Sequence, residues 1–490
     1  MVVGLATSYA TAMALTIRES PVVAVAELII RITPGPVAER IIRIVGQLDK
    51  PLLIFGVLAF LLAMGALAGA LARRSVVKPM LVWLVLAAIG GLAVLVQPGA
   101  SIIDILPVMV GFVSWIAVLS ALAKPLITRR DHPELESRER RVFLMVAGVF
   151  TLAAIGIGGA GRFVGLGRRH VVESRRLLRL DGVTRPRVPA DTTLGLPDIS
   201  PWQTPAEDFY LIHTAISVPA IEPQDWTLRI HGLVDRELTL TYNDLVTRQL
   251  TESWITLNCV SNEVGGDLVG NAWWSGIRIA DILDEVGLDP SADCILQTSE
   301  DGWNCATPLS TLTDDRSAML AVAMNGKPLP IEHGFPVRTI VPGLYGYVSA
   351  TKWVVDYEVT RFSEVAAFWT QRGWSEQGPV KIASRIDVPR NGADVATGDV
   401  TVGGLAWAQH AGIAAVDVAV DGGEWQPAEL AQTPNEDTWV QWALTVSLDE
   451  GEHELRVRAT DKDGLEQTGV RRDVVPDGST GWHTIQVSAS

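Results

Sequence analysis

Residues 256–268 read TLNCVSNEVGGDL and set Cys259 directly behind an apolar, strand-type run, WITLN, and ahead of a polar loop with two glycines. A thiolate beside Asn258, Ser261 and Asn262 lies in a polar setting that stabilises its charge, and a thiolate held in this way can bind a soft metal. Taken alone, a single cysteine is more often a small buried hydrophobe. The chain has three cysteines, at 259, 294 and 305, and their spacing fits neither a disulfide scaffold nor a zinc pattern. Nothing recruits Cys294 or Cys305, which read as structural.

The elements that must position Cys259 come from a chain of mixed character. A mean hydropathy of +0.25 over 490 residues is high for a wholly soluble protein. Segments 52–72, 79–97, 102–123 and 142–161 are each about long enough to cross ~30 Å of hydrocarbon as helices. The stretch 1–33 is interrupted by Arg18, Glu19, Glu27 and Arg31, and reads as a truncated first span or an interfacial helix. Arg73, Arg74 and Lys78 follow the first clear span, and Lys124, Arg129, Arg130, Arg138, Arg140 and Arg141 lie between the third and fourth. Positive loops face the cytoplasm, so the remainder of the chain is expected outside the cell membrane. RERRVFLMVAG (138–148) has two readings: a twin-arginine export signal used within the chain, or ordinary anchoring arginines.

Charge divides the same way. Residues 1–180 hold 20 Lys+Arg and 10 Asp+Glu, which leaves 20 and 45 for 181–490, a net of −25. An acidic surface of that size argues against a nucleic-acid partner. Residues 162–195 are basic and then Pro/Thr-rich, and read as a linker over the membrane surface. Residues 196–375 mix short β-type runs with helical stretches such as IRIADILDEVG (277–287). Alternating runs at 414–425, 439–448 and 453–464, punctuated by turns, predict a β-sandwich of immunoglobulin type over 380–490.

The surroundings of Cys259 carry a resemblance. CVSNEVGGDLVGNAWWSGIRIADIL (259–283), MNGKPLPIEHGFPVRTIVPGLYGYVSATKW (324–353) and the lead-in DFYLIHTAISVPAIEPQDWTLRIHGLV (208–234) together resemble the sulfite-oxidase family of molybdopterin enzymes. The resemblance covers roughly 200–490, and the sandwich is similar to the family's dimerisation domain. Hydropathy and composition, joined to this resemblance, give the expected multi-domain fold: a transmembrane helical bundle (1–161), a linker (162–195), an α+β molybdopterin-binding domain (196–375) and an immunoglobulin-like β-sandwich (380–490). The resemblance also implies a molybdenum–molybdopterin cofactor with Cys259 as the protein's ligand to the metal, both catalytic residue and metal site. His333, Arg338 and Lys352, at the HGFPVR and KW positions, are the expected partners of the cofactor's phosphate. Ser349, Ala350 and Thr351 are expected to contact it from the preceding loop, together with His213 and Asp301. Trp273 and Trp274 are expected to wall the site.

Where the family holds a dianionic substrate with arginines and a tyrosine, this chain resembles it less. Ile212 and Val264 stand at arginine positions, Trp374 at the tyrosine position, and the sandwich segment GLAWAQHAGIAAVDV lacks an arginine near Ala411, with His410 adjacent. Trp374 and His410 are therefore the substrate-pocket candidates. None of the eight histidines falls in an expected span and no CxxCH occurs, so no haem is expected. The expected partners are a small-molecule substrate, membrane lipid, a separate quinone or cytochrome as electron carrier, and a second copy of the chain. Two functions stay open within the family: oxidation of sulfite or a related compound, and reduction of small S-oxides or N-oxides. A third reading is a non-catalytic binding protein that has kept the fold.

Overall fold

The computed structural model describes every residue except 16, 18, 46, 47, 73–76, 98, 99, 132–135 and 165. The chain forms two compact units, one of Met1–Glu173 with Thr214–Ala220, the other of Ser174–His213 with Ile221–Ser490.

The first unit is helical: α1 (Val2–Ala14), α2 (Pro21–Ile32), α3 (Gly35–Val45), α4 (Asp49–Ala72), α5 (Val77–Leu95), α6 (Leu106–Asp131), α7 (Glu136–Val164) and α8 (Leu166–Leu177), the last running into the second unit. Among the described residues three helical stretches are long and apolar enough to cross a membrane: Asp49–Ala72, Val77–Leu95 and Ile102–Leu122. The fourth expected span falls inside α7, whose apolar stretch, Leu144–Gly159, is shorter than those three. Residues 1–33 form two helices rather than one. Gly4, Ser8 and Ala12 give α1 a small buried face, and Gly4 meets Gly111 of α6 so closely that a Cβ on Gly4 would lie 2.6 Å from the Gly111 carbonyl oxygen. Arg73 and Arg74, on which the orientation partly rests, lie outside the described residues, as do the side chains of Lys124, Arg129, Arg130, Arg138 and Arg140.

The segment 162–195, read as a linker, is helical through Leu177. LGRRHVVESRRL has no proline or internal glycine pair to stop a helix, and the first proline of the segment comes only at 186. Beyond it the chain is irregular but not free: Leu178 and Leu180 pack on one core of the second unit, Val183 and Val188 on another, and Leu194 on a third.

The second unit begins with β1 (Thr227–Gly232), β2 (Leu238–Thr241), α9 (Tyr242–Val246), β3 (Thr251–Asn258), β4 (Val269–Arg278), α10 (Ile279–Val286), β5 (Cys294–Ser299), β6 (Asn304–Pro308), β7 (Met319–Met324), β8 (Lys327–Pro328), β9 (Arg338–Ile340) and β10 (Val354–Thr360). One mixed sheet has the order β2-β1-β10-β5-β6, with β1 and β10 parallel; the other runs β3-β4-β7-β8, with β9 beside β7. The helical period of IRIADILDEVG is realised as α10, whose Ile279, Ile282, Leu283 and Val286 face the core and which ends at Gly287 with φ +68°. All but the first two residues of β3 are buried. Its Trp254, Ile255 and Leu257 each contribute about 1.5–3 kcal/mol by burial.

The C-terminal part comprises β11 (Ala383–Val388), β12 (Ala393–Val395), β13 (Gly398–Trp407), β14 (Ile413–Val420), β15 (Gln426–Pro427), β16 (Glu429–Leu430), β17 (Val440–Leu448), β18 (Gly451–Asp461) and β19 (His483–Ala489). A four-stranded sheet, β11-β13-β17-β16, and a five-stranded sheet, β12-β19-β18-β14-β15, share one core that includes Val402, Val416, Trp442, Val457 and Ile485. Trp202, Trp254, Trp273, Trp407 and Trp439 join this part to β3 and β4 in a separate tryptophan-rich cluster. The Trp439 N–H donates to Thr256 Oγ1 at 2.8 Å across that join.

Candidate functional site

Cys259 is the first residue past β3. The antiparallel register pairs Asn258 with Val269, and the chain between them closes on itself: Cys259 N–H donates to the Leu268 carbonyl (2.9 Å), Asn262 N–H to the Cys259 carbonyl (3.1 Å), and Leu268 N–H to Asn262 Oδ1 (2.9 Å). The glycine pair is required here. Gly265 has φ +80°, and a Cβ on it would lie 2.3 Å from the His483 ring, while one on Gly266 would lie 2.4 Å from Asn262 Oδ1.

Cys259 is half-buried, whereas Cys294 and Cys305 are wholly buried. Burial pushes all three thiols up, Cys294 and Cys305 to about 12. At Cys259 the Ser261 N–H and hydroxyl and the charge of Lys352 oppose that push. Nothing comparable acts on Cys294, and Cys305 is occupied by Thr351, whose hydroxyl lies 3.2 Å from its sulfur.

The HGFPVR stretch supplies cationic groups. Gly334 has φ +109°, and a Cβ there would press on Arg338 Cβ at 3.0 Å and Lys352 Cα at 3.1 Å, so the glycine lets these two cations approach each other. Arg338, on β9, is 4% exposed. Its guanidinium donates to the carbonyls of His333 (3.1 Å) and Ala350 (3.2 Å) and lies 5.3 Å over the Trp274 ring. No carboxylate pairs with it among the described residues, and burial lowers its pKa to about 10. His333, 5% exposed, bonds through Nε2 to the Ala206 carbonyl at 3.1 Å, while its buried Nδ1 has no hydrogen-bond partner among the described residues. Burial, then Lys352 and Arg338, hold its pKa down at about 3, so the ring is neutral. Lys352 Nζ donates to the Ile212 carbonyl at 3.1 Å, and His213 stands edge-on to Trp353 at 5.9 Å.

A buried guanidinium bonded only to carbonyls, beside an imidazole nitrogen in want of a partner, suits a buried anionic, hydrogen-bonding group. A phosphate-bearing pterin is such a group, and the residues present fit it.

Ser349 Oγ donates to the carbonyls of Leu344 and Tyr345, the Ala350 carbonyl accepts from Arg338, and the Thr351 carbonyl accepts from Thr339 N–H. These groups shape the loop ahead of Lys352. Asp301 is buried in the turn between β5 and β6 and accepts from Trp303 N–H at 3.1 Å. Alternation along β4 separates the two tryptophans: Trp274 lies under Arg338, and Trp273 faces Trp254 in the tryptophan cluster. Trp374 packs on Tyr347 and Trp369 in the core. His410, with φ +69°, has Nδ1 3.7 Å from Asp437.

Gln409, Arg316 and Tyr210 escaped sequence reasoning. Gln409 Nε2 donates to Asn258 Oδ1, directly before Cys259. Arg316 and His410 flank Gly343, each 3.2 Å from where its Cβ would be, but Arg316 is bound by Asp314 at 2.9 Å. Nothing in DDR (314–316) marks it as anything but a surface arginine. Tyr210 interacts electrostatically with both Cys259 and Arg338, and its hydroxyl lies 3.9 Å from a Cβ placed on Gly346. Its place in the lead-in, three residues before His213, was an available signal.

Comparison with known proteins follows the same division of the chain. Residues 215–369 match the oxidoreductase molybdopterin binding domain, and 377–489 match the Mo-co oxidoreductase dimerisation domain. Human mitochondrial sulfite oxidase is 29% identical over 331 residues, which is 56% of this chain and 60% of that protein. The uncharacterized oxidoreductase YuiH of Bacillus subtilis (strain 168) is 33% identical over 181 residues, 37% of this chain and 87% of that one. The sulfane dehydrogenase SoxCD of Paracoccus pantotrophus shares the fold, with a TM-score of 0.53 at 24% identity over 59% of this chain and 82% of that one. The chain spans about three-fifths of the length of the mammalian sulfite oxidases it matches. It belongs to the sulfite-oxidase family of molybdopterin-dependent oxidoreductases.

Proposed function

We propose that the protein is a membrane-anchored oxidoreductase that transfers an oxygen atom to or from a small substrate outside the cytoplasmic membrane, using a molybdenum–molybdopterin cofactor ligated by Cys259. The carrying observation is the carboxylate-free burial of Arg338 beside the unpartnered nitrogen of His333, in the same electrostatic neighbourhood as Cys259. His333, Arg338 and Lys352 would hold the cofactor's anionic end, and Cys259 would bind its metal. The bound cofactor supplies two-electron redox chemistry and exchange of an oxygen atom with water. The chain's own part is to keep Cys259 fixed at the end of β3 and to keep His333 neutral.

Anchoring rests on the three apolar helices, and the outside location on the loop charges, with Arg140–Arg141 as a twin-arginine export signal. The two-sheet C-terminal domain is an immunoglobulin-type sandwich through which two copies pair, and a separate quinone or cytochrome carries the electrons.

Between the two directions of reaction, the lip of the site favours an uncharged substrate. Ile212, 50% exposed, and Val264 stand where the family's anion pocket has arginines, and Arg316 is paired with Asp314. Reduction of a small S-oxide or N-oxide is therefore the preferred chemistry, with oxidation of sulfite or sulfane sulfur second. The test is turnover by molybdenum-loaded protein, with reduced viologen plus dimethyl sulfoxide set against ferricyanide plus sulfite. S-oxide-dependent oxidation of the viologen, absent in Cys259→Ser, upholds the reading, whereas faster turnover of sulfite overturns the preference.

A further inference from the structure

The loop that carries Cys259 is gripped on its far side by the C-terminal domain. Arg385, on β11 and 8% exposed, spreads its guanidinium over three segments: Nε to Asp387 (2.6 Å), Nη1 to the Gly266 carbonyl (2.6 Å) and Nη2 to Ser200 Oγ (2.9 Å). Asp387 returns to the Ser200 N–H at 3.0 Å, so the network is closed. Ser479 Oγ donates to the Asn262 carbonyl at 2.7 Å. His483 lies face to face with Gly265, its Nδ1 held by the Ile386 N–H at 3.0 Å. The three points gripped, Asn262, Gly265 and Gly266, all lie in the loop, and the Asn262 N–H is in turn bonded to the Cys259 carbonyl.

We infer that Arg385, Ser479 and His483 are positioning residues that fix Cys259 through its loop, so that the dimerisation-type domain is a structural part of the cofactor site. The inference rests on the reading of Cys259 as the cofactor's ligand. The chemistry favours arginine at 385. A planar fork serves three acceptors in fixed directions, which a single ammonium cannot do. The grip is applied at Gly265 and Gly266, the two residues of the loop whose backbone has the most conformational freedom to lose.

Arg385→Ala leaves the Asp387 carboxylate without its cation and is prone to misfold, so the informative variants are Arg385→Lys, which keeps a cation beside Asp387, and Ser479→Ala, which deletes one hydrogen bond. Full-length protein is purified in detergent, and three quantities are followed: the melting temperature, amide hydrogen exchange over 262–268, and the rate at which molybdenum is lost during repeated gel filtration. The inference predicts a melting temperature within a few degrees of wild type, loop exchange about tenfold faster, and molybdenum loss faster by a similar factor. Unchanged loop exchange and metal retention in both variants would overturn it, as would faster exchange spread evenly over the whole domain, which marks a purely structural role. Cys259→Ser serves as the separate control: if it keeps molybdenum as wild type does, the ligand reading itself is wrong, whatever the clamp variants show.

Discussion

The two histidine–arginine pairs of the second unit are opposites in electrostatics. His333 and Arg338 are almost fully buried, and no carboxylate among the described residues pairs with the guanidinium. Arg316 and His410 are more exposed, and each leans on an aspartate, Asp314 and Asp437. Burying an unpaired cation is costly, so the first arrangement suits an anionic guest, while the second is neutral already and offers an anion little. Composition alone would rank the pairs as equal, and it is their partners that single out the first as the proposed cofactor cradle.

The sharpest way to break that comparison is to delete each arginine in turn. Arg338→Met should lower cofactor retention by an order of magnitude or more, whereas Arg316→Ala should leave molybdenum and pterin content within about twofold of wild type. Elemental analysis of the purified proteins measures both, and an equal loss would erase the distinction.

A smaller effect is expected from Gly265→Ala, which forces a side chain onto a backbone at φ +80° and into the His483 ring. It should cost about 1–3 kcal/mol of stability in denaturant unfolding. Gly422→Ala, also at positive φ but with open space around it, should cost less, about 1 kcal/mol.

Two histidines give pH-dependent effects of opposite sign. Burial, then Arg385 and Arg471, hold His483 at about 4, below its usual 6.5. The unfolded chain therefore binds the extra proton between those values. Stability is whole above pH 6.5 and falls as the pH drops toward 4, by at most about 1.4 kcal/mol per pH unit, and His483→Gln should flatten the slope. Asp437 raises His410 above 6.5, so its contribution is complete below pH 6.5 and fades as the pH climbs through the raised value. Exposure keeps that contribution small, and Asp437→Asn should remove it. Urea titrations across pH 4–8 read both.

Much of this was legible in the chain because it is local. Cys259 follows an apolar run, α10 shows its period, and β14, β17 and β18 alternate as strands do. HGFPVR gave the cradle its cations, but not that Arg338 would lack an acid, since that depends on what folds around it. Gln409, Ser479 and His483 reach the Cys259 loop from 140 or more positions along the chain, so no local pattern marks them. The helix through Leu177 was missed because basic composition and the prolines further on were read as one linker. Trp374 was placed by matching a tyrosine position, and Tyr210 in the lead-in, which couples electrostatically to Cys259 and Arg338, was passed over.

The central claim is that Cys259 binds the molybdenum of a pterin cofactor. The most direct measurement is the molybdenum and pterin content of full-length wild type and Cys259→Ser, expressed and purified side by side. Stoichiometric metal in the wild type and a deep loss in the variant, with its fold intact by circular dichroism, is the predicted result. Equal molybdenum in both, or none in the wild type under molybdate-replete expression, would contradict the account.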